Sequence, residues 1–220
     1  MNFSDVAKIP MREESEMCMV EIIVLKWKKP EIEIKCTQHI INHTQWPYKL
    51  VIYDNRLNTP NTARIWNKLI SQATCDYVCL INSDAFVPSV NPCWLTRMME
   101  TFNKPDCRMV LPVTDHCSTP AQRMPAKPYG SVVLHHGEWS GFCFLFKKSL
   151  LDEVGKFDEE FVGYGSDTEF SIRLDRKGGG TYIRRDVFVE HLAGASFKVN
   201  AVAANADREY AQKLFMQNTA

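Results

Sequence analysis

The sequence predicts an α/β fold in which helices pack on a parallel sheet. Short β-branched runs alternate with segments of helical periodicity, strands joined in this way need helical crossovers, and no repeat or linker divides the 220 residues. Residues 20–25 (VEIIVL) form the first strand, and residues 31–42 form a helix with Ile34, Ile40 and Ile41 among polar positions. Residues 49–53 and 61–73 repeat the pair, with Thr59-Pro60 supplying a cap residue and a proline suited to the first helical turn. Residues 76–82 (DYVCLIN) give a third strand, residues 92–102 a helix and residues 108–111 a short strand. Residues 112–137, rich in Pro, Ser and Thr, read as a long functional loop. The strand-like run 139–146 (WSGFCFLF) is followed by a helix that Ser149-x-x-Asp152 opens and Gly155 ends. A helix over 167–177 stops at Gly178-Gly179-Gly180, and residues 187–190 are strand-like. Val202, Ala206, Tyr210 and Leu214 mark the apolar stripe of a last helix.

Composition narrows the function. Lys plus Arg and Asp plus Glu number 26 each, so no net field exists to hold nucleic acid or an acidic membrane, and phosphate recognition must be local. Eight cysteines are scattered, several in apolar runs and none in a close C-x-x-C pair, and they read as reduced core residues. The first 20 residues carry Glu13, Glu14 and Glu16 and read as neither secretory signal nor anchor. No run approaches the ~18 apolar residues of a membrane span. The expectation is a cytoplasmic protein without an integral membrane segment, with peripheral association left open.

Open parallel sheets place ligands at the carboxyl ends of their strands, here Lys26-Trp27-Lys28, Asp54-Asn55 and Asn82-Ser83-Asp84. Asp84 follows a buried strand directly, a placement that suits Mg²⁺ or Mn²⁺ shared with a diphosphate, although a plain turn would use Asn82 and Asp84 equally well. Ser166-x-x-Glu169 reads as a capping box, and Asp167 as a charge favoured by the helix dipole. That account leaves Gly163-Tyr164-Gly165 unexplained, since glycines around an aromatic permit close approach to a ligand, and Asp167 there can take a proton from a sugar hydroxyl. His191, after a strand, is either a hydrogen-bonded residue or a metal ligand. His135 and His136 point to opposite sides of an extended backbone and are read as loop residues near an acceptor. Trp139, ahead of Ser140-Gly141, can stack on a sugar ring, whereas Trp27, Trp46, Trp66 and Trp94 read as core.

Taken in order, the strand ending in Asp54-Asn55, Asn82-Ser83-Asp84, residues 141–146 leading into residues 154–161, Gly163 to Glu169 and His191 resemble family 2 glycosyltransferases, over residues 20–197. The resemblance implies a GT-A fold, a Rossmann-like, mostly parallel mixed sheet flanked by helices. It implies one domain over 1–220: an extension at 1–19, a nucleotide-sugar-binding half at 20–111, an acceptor and catalytic half at 112–197 and a C-terminal helix at 198–220. The reaction implied is inverting transfer from a nucleotide sugar, foremost a UDP-sugar, to a glycan or other hydroxyl acceptor, with Mn²⁺ or Mg²⁺. Asp54, Asn55 and Asn82 then fall on the nucleotide, with Asp54 reading the base. Asp84 matches the last acid of the D-x-D element, His191 a further metal ligand and Asp167 the catalytic base. Trp139, Gly141, Tyr164, Gly165 and Glu169 fall on the acceptor side. Two positions depart from the pattern: Asn82 replaces the first acid of D-x-D, and Ser166 replaces the Glu of the Glu-Asp pair. One rival is a sugar nucleotidyltransferase, which would show a glycine-rich basic loop after the first strand, where residues 25–30 contain no glycine. The other is a nucleotide-sugar or glycan binder without turnover, raised by Ser166.

Overall fold

The computed structural model describes residues 19–26, 29–55, 61–124, 130–192 and 201–217. Trp27-Lys28, Thr59-Pro60, Gly194-Ala195-Ser196 and the extension through Cys18 lie outside the described residues.

The continuous apolar runs become interior strands. β1 (Val20–Lys26) is flanked on one side by the edge strand β2 (Tyr48–Asp54) and on the other by β3 (Tyr77–Asn82), both parallel to it. Covered on both faces, β1 sends Ile22 and Val24 into one apolar layer and Ile23 into the other, as the strand period of two requires. Helix α1 (Pro30–His43) starts with a proline and carries Glu31 and Glu33 in its first turn. Helix α2 (Thr62–Gln72) is capped by Asn61, whose side chain accepts the Arg64 N–H at 2.8 Å.

The sheet continues through β7 (Cys143–Lys147), β5 (Met109–Val113), β8 (Thr181–Phe188) and β6 (Val132–His135), in the order β2-β1-β3-β7-β5-β8-β6. β7 and β6 run against the other five strands, so the sheet is mixed and mostly parallel, as expected. A second, two-stranded sheet pairs β4 (Ala85–Phe86) with β9 (Glu190–His191). Helices α3 (Trp94–Glu100), α4 (Leu150–Val154), α5 (Ser166–Arg176) and α6 (Ala201–Gln217) complete the fold. One layer centres on Phe86, Trp94 and Phe142, the other on Trp66, Phe144, Phe157 and Phe170.

Four sequence expectations are corrected. Residues 112–137 are not all loop: β6 lies within them and pairs antiparallel with β8. β8 begins at Thr181, ahead of the expected 187, because Arg184, Arg185 and Asp186 interrupt its apolar pattern. Arg184 is nevertheless buried, its Nε and Nη2 donating to Asp186 at 2.8 and 2.7 Å. The capping box does not form: Gly165, at φ +94°, is the N-cap of α5, and Glu169 turns to Arg173 one helical turn on. On α6 the stripe holds at Tyr210, which packs on Phe161, and not at Ala206, which is exposed beside the 3 % exposed Asp207; the side chain of Val202 is outside what the structure describes.

Candidate active site

A cavity of about 620 Å³ opens at the carboxyl ends of the parallel strands, in the size range of small-molecule sites. Lys26 ends β1, Asn55 follows β2 and Asn82 ends β3, and all three line it. Asn55 is 4 % exposed, and among the described residues its Oδ1 has no hydrogen-bond partner. A buried carbonyl oxygen without a partner is an acceptor awaiting a donor. Asp54, at the end of edge strand β2, is exposed and is not among the cavity-lining residues.

The small sheet brings Asp84 and His191 together. Ala85 pairs with His191, Leu192 N–H donates to the Asp84 carbonyl at 3.1 Å, and His191 Nε2 then lies 3.4 Å from Asp84 Oδ1. His191 Nδ1 is 2.9 Å from the His116 carbonyl, so Nδ1 carries a proton and Nε2 is the nitrogen turned to the carboxylate. The Phe142 ring stacks on the imidazole at 5.1 Å between centroids. Burial alone would lower the imidazole pKa, but Asp84 and the His116 carbonyl outweigh it and hold it above its ordinary value. This oxygen and nitrogen pair could supply two ligands to a divalent cation, Mn²⁺ accepting imidazole more readily than Mg²⁺. Among the described residues no group of three or more His, Cys, Asp or Glu side chains is arranged to hold a metal alone.

Asp167 stands on the first turn of α5, at the cavity wall. Its Oδ2 accepts the Gly141 N–H at 2.7 Å and its Oδ1 the Thr168 N–H at 3.0 Å. Burial raises its pKa above the ordinary carboxylate value although both N–H groups pull the other way. Gly141 is held beside it by Ser140, whose N–H donates to Gln122 Oε1 at 2.7 Å. Gln122 is fully buried and closes the 114–124 loop against the sheet, and that loop puts Asp115, His116, Ser118 and Arg123 on the cavity wall. Gly163, Tyr164, Gly165 and Ser166 line the wall leading to Asp167.

The structure therefore gathers Asn55, Asn82, Asp84, Gly141, Tyr164, Gly165, Asp167 and His191 around one cavity. It does not place Trp139 there as a stacking platform: the indole is 1 % exposed and packed on Phe144. Glu169 is 8 % exposed and bound to Arg173, away from the cavity wall. His135 and His136 do not line it either; His136 pairs with Asp175 near the opposite end of α5, at 2.7 Å. The 114–124 loop was legible only as polar chain, and its individual wall residues carry no motif.

This architecture is the GT-A glycosyltransferase fold. The crystal structure of GalNAc-T7 with UDP, GalNAc and Mn²⁺ superposes with a TM-score of 0.59 at 11% identity, over 81% of this chain and 44% of that one. TarS residues 1–349 from S. aureus superpose with a TM-score of 0.60 at 11% identity, over 85% of this chain and 64% of that one. In sequence, the chain is 25% identical over 174 residues to the O-antigen biosynthesis protein RfbC of Myxococcus xanthus, a match spanning 68% of this chain and 13% of that protein. No protein-family model matches. Among the described residues, no helix is long and apolar enough to cross a membrane.

Proposed function

We propose that the chain is an inverting family 2 glycosyltransferase that moves a sugar from a nucleoside-diphosphate sugar, foremost a UDP-sugar, to a hydroxyl of a glycan or other acceptor. The observation that carries this reading is the convergence, in one cavity, of a polar strand-end shelf, the Asp84–His191 pair and the half-buried carboxylate of Asp167. The UDP, GalNAc and Mn²⁺ named with GalNAc-T7 support the donor class and the metal.

Asn55 and Asn82 hold the nucleotide at the strand ends, with Asp54 at the rim on the side of the base. Asp84 and His191 would hold the Mn²⁺ or Mg²⁺, which would supply neutralising charge to the departing nucleoside diphosphate. Asp167 receives the acceptor proton as the hydroxyl oxygen bonds to the anomeric carbon and the bond from that carbon to the diphosphate oxygen breaks. Its raised pKa makes it a stronger base than a free carboxylate, and the Gly141 and Thr168 N–H groups hold the carboxylate in one orientation. Ser166 is buried at the same wall and brings no carboxylate; of the acids on that wall Asp84 faces His191 and Asp115 pairs with His116, and Asp167 is assigned as the base.

The test is a thermal-shift screen of UDP and GDP, each with and without Mn²⁺, followed by transfer assays with the sugar nucleotides of whichever base binds. A rise that needs both nucleotide and Mn²⁺ supports the site, because a ligand that binds the native state stabilises it. Binding without turnover for any donor would point to a binding protein, and no rise with either nucleotide would sink the reading.

A further inference from the structure

Asp207 lies on α6, outside every motif of the site, yet its carboxylate is 3 % exposed. Oδ1 accepts the Val162 N–H at 2.6 Å, and Oδ2 accepts the N–H groups of Gly163 and Tyr164, each at 2.8 Å. Three consecutive main-chain amides converging on one point form a nest, a concavity that ordinarily receives an anion from solution. Here the anion belongs to the protein and enters from behind the cavity wall. The same turn is held from its other side, where Thr62 N–H at the start of α2 donates to the Val162 carbonyl at 3.2 Å. One helical turn along α6, on the same face as Asp207, the Tyr210 hydroxyl donates to Asp158 Oδ2 at 2.8 Å and its ring meets Phe161 at 4.9 Å. Phe161 in turn lies beneath Gly165, where an added Cβ would fall 2.9 Å from the Phe161 ring.

We infer that Asp207 is a positioning residue for the transfer reaction: by binding the amides of residues 162–164 it fixes the cavity wall that carries Tyr164 and leads through Gly165 into the Asp167 turn. The inference rests on the proposed glycosyltransferase reading. Asp207 is the acceptor that these three N–H groups share, and all three lose it at once when the carboxylate is gone. With the nest filled internally, its amides are not offered to a diphosphate, so phosphate charge must be met elsewhere in the cavity. Asp207 thus acts on geometry and not on donor charge, and its loss should appear in turnover before it appears in nucleotide binding.

The experiment compares wild type with Asp207→Asn and Tyr210→Phe. Amide hydrogen exchange reads the clamp without any activity: in Asp207→Asn the amides of residues 162–164 are expected to exchange about tenfold faster or more, with β3 and β7 unchanged. In transfer assays kcat is expected to fall by about tenfold or more while the nucleotide Kd moves less than about threefold, the pattern of a misplaced reacting group. Tyr210→Phe loosens α6 at Asp158 without touching the nest, and is expected to lower Tm while keeping kcat within about twofold. Wild-type exchange at residues 162–164 in Asp207→Asn, or a kcat loss in Tyr210→Phe as large as that in Asp207→Asn, would overturn the inference. If Asp207→Asn does not fold, Asp207→Glu keeps the charge but displaces the carboxylate by one methylene, and smaller changes of the same kind are expected; wild-type exchange and kcat there would be equally fatal. If wild type itself transfers no sugar, the functional reading fails, and the exchange result still decides whether Asp207 fixes the wall.

Discussion

The N–H of Gly141 donates to Oδ2 of Asp167 at 2.7 Å, and a Cβ added at position 141 would lie 2.9 Å from that oxygen and 3.0 Å from the Asp167 Cβ. The glycine is required by contact, since a side chain here must displace the carboxylate that the backbone is holding. Gly141→Ala is therefore expected to leave the fold intact, at a cost of about 1–3 kcal/mol of overpacking, and to reduce kcat by about tenfold or more. Parallel measurement of Tm and kcat checks both halves. Unchanged turnover would mean that Asp167 does not need this placement.

Asp167→Asn keeps the shape of the side chain and removes the base. Transfer is expected to fall by about 10²–10⁴-fold with nucleotide binding retained, read by single-turnover kinetics and calorimetry. Full activity in folded Asp167→Asn protein would remove Asp167 from the mechanism.

The raised pKa of Asp167 makes two pH signatures. The acid limb of kcat/KM should lie above the ordinary carboxylate range, because the base must be ionised. For stability the native state binds this proton more tightly than the unfolded chain does, so the contribution of the carboxyl is full below the unfolded pKa and is lost as pH rises through the folded one. Asparagine does not titrate. The difference in Tm between Asp167→Asn and wild type should accordingly move in favour of the variant from acid to neutral pH, and a constant difference would argue against a shifted Asp167.

The two-residue strands β4 and β9 bring Asp84 and His191 together. His191→Ala is expected to raise the Mn²⁺ concentration needed for nucleotide-dependent stabilisation by at least about tenfold, a loss already typical of removing a partner one shell further from a metal. Asp84→Ala should abolish the Mn²⁺ dependence. A titration of Mn²⁺ at fixed nucleotide, read by Tm, decides it.

Asn67 tests the scaffold. It is 5 % exposed, accepts the Phe157 N–H at 3.0 Å, and donates to the Phe157 carbonyl at 2.8 Å and to Glu159 Oε1 at 3.0 Å, tying α2 to the segment ahead of Tyr164. Asn67→Ala should destabilise the protein by about 2–4 kcal/mol, since two buried main-chain groups lose their partner. Urea unfolding measures it.

The central strands could be read from the chain because burial on both faces leaves β3 an apolar run and β1 one broken by Glu21 alone, and the polar strand ends pointed to Asn55, Asn82 and Asp84, which line the cavity. Residues whose roles depend on partners distant in sequence were harder to read. Arg184, Arg185 and Asp186 look like a solvated break, and the pairing of Arg184 with Asp186, joined by Arg97, lets a strand pass through them. Trp139 precedes a glycine turn as a platform residue would, but Phe144 and its neighbours enclose it. Asp207 lies beside the expected stripe of α6, and a charged residue inside a helix reads as solvent-facing until the turn that needs it is in place.

That last dependence sets an order of assembly. Every strand of both sheets precedes α6 along the chain, so during synthesis the framework can close before the Asp207 carboxylate is available. The wall bearing Tyr164 is then the part that matures late, and a nascent chain would hold a finished scaffold around an unfinished reaction chamber.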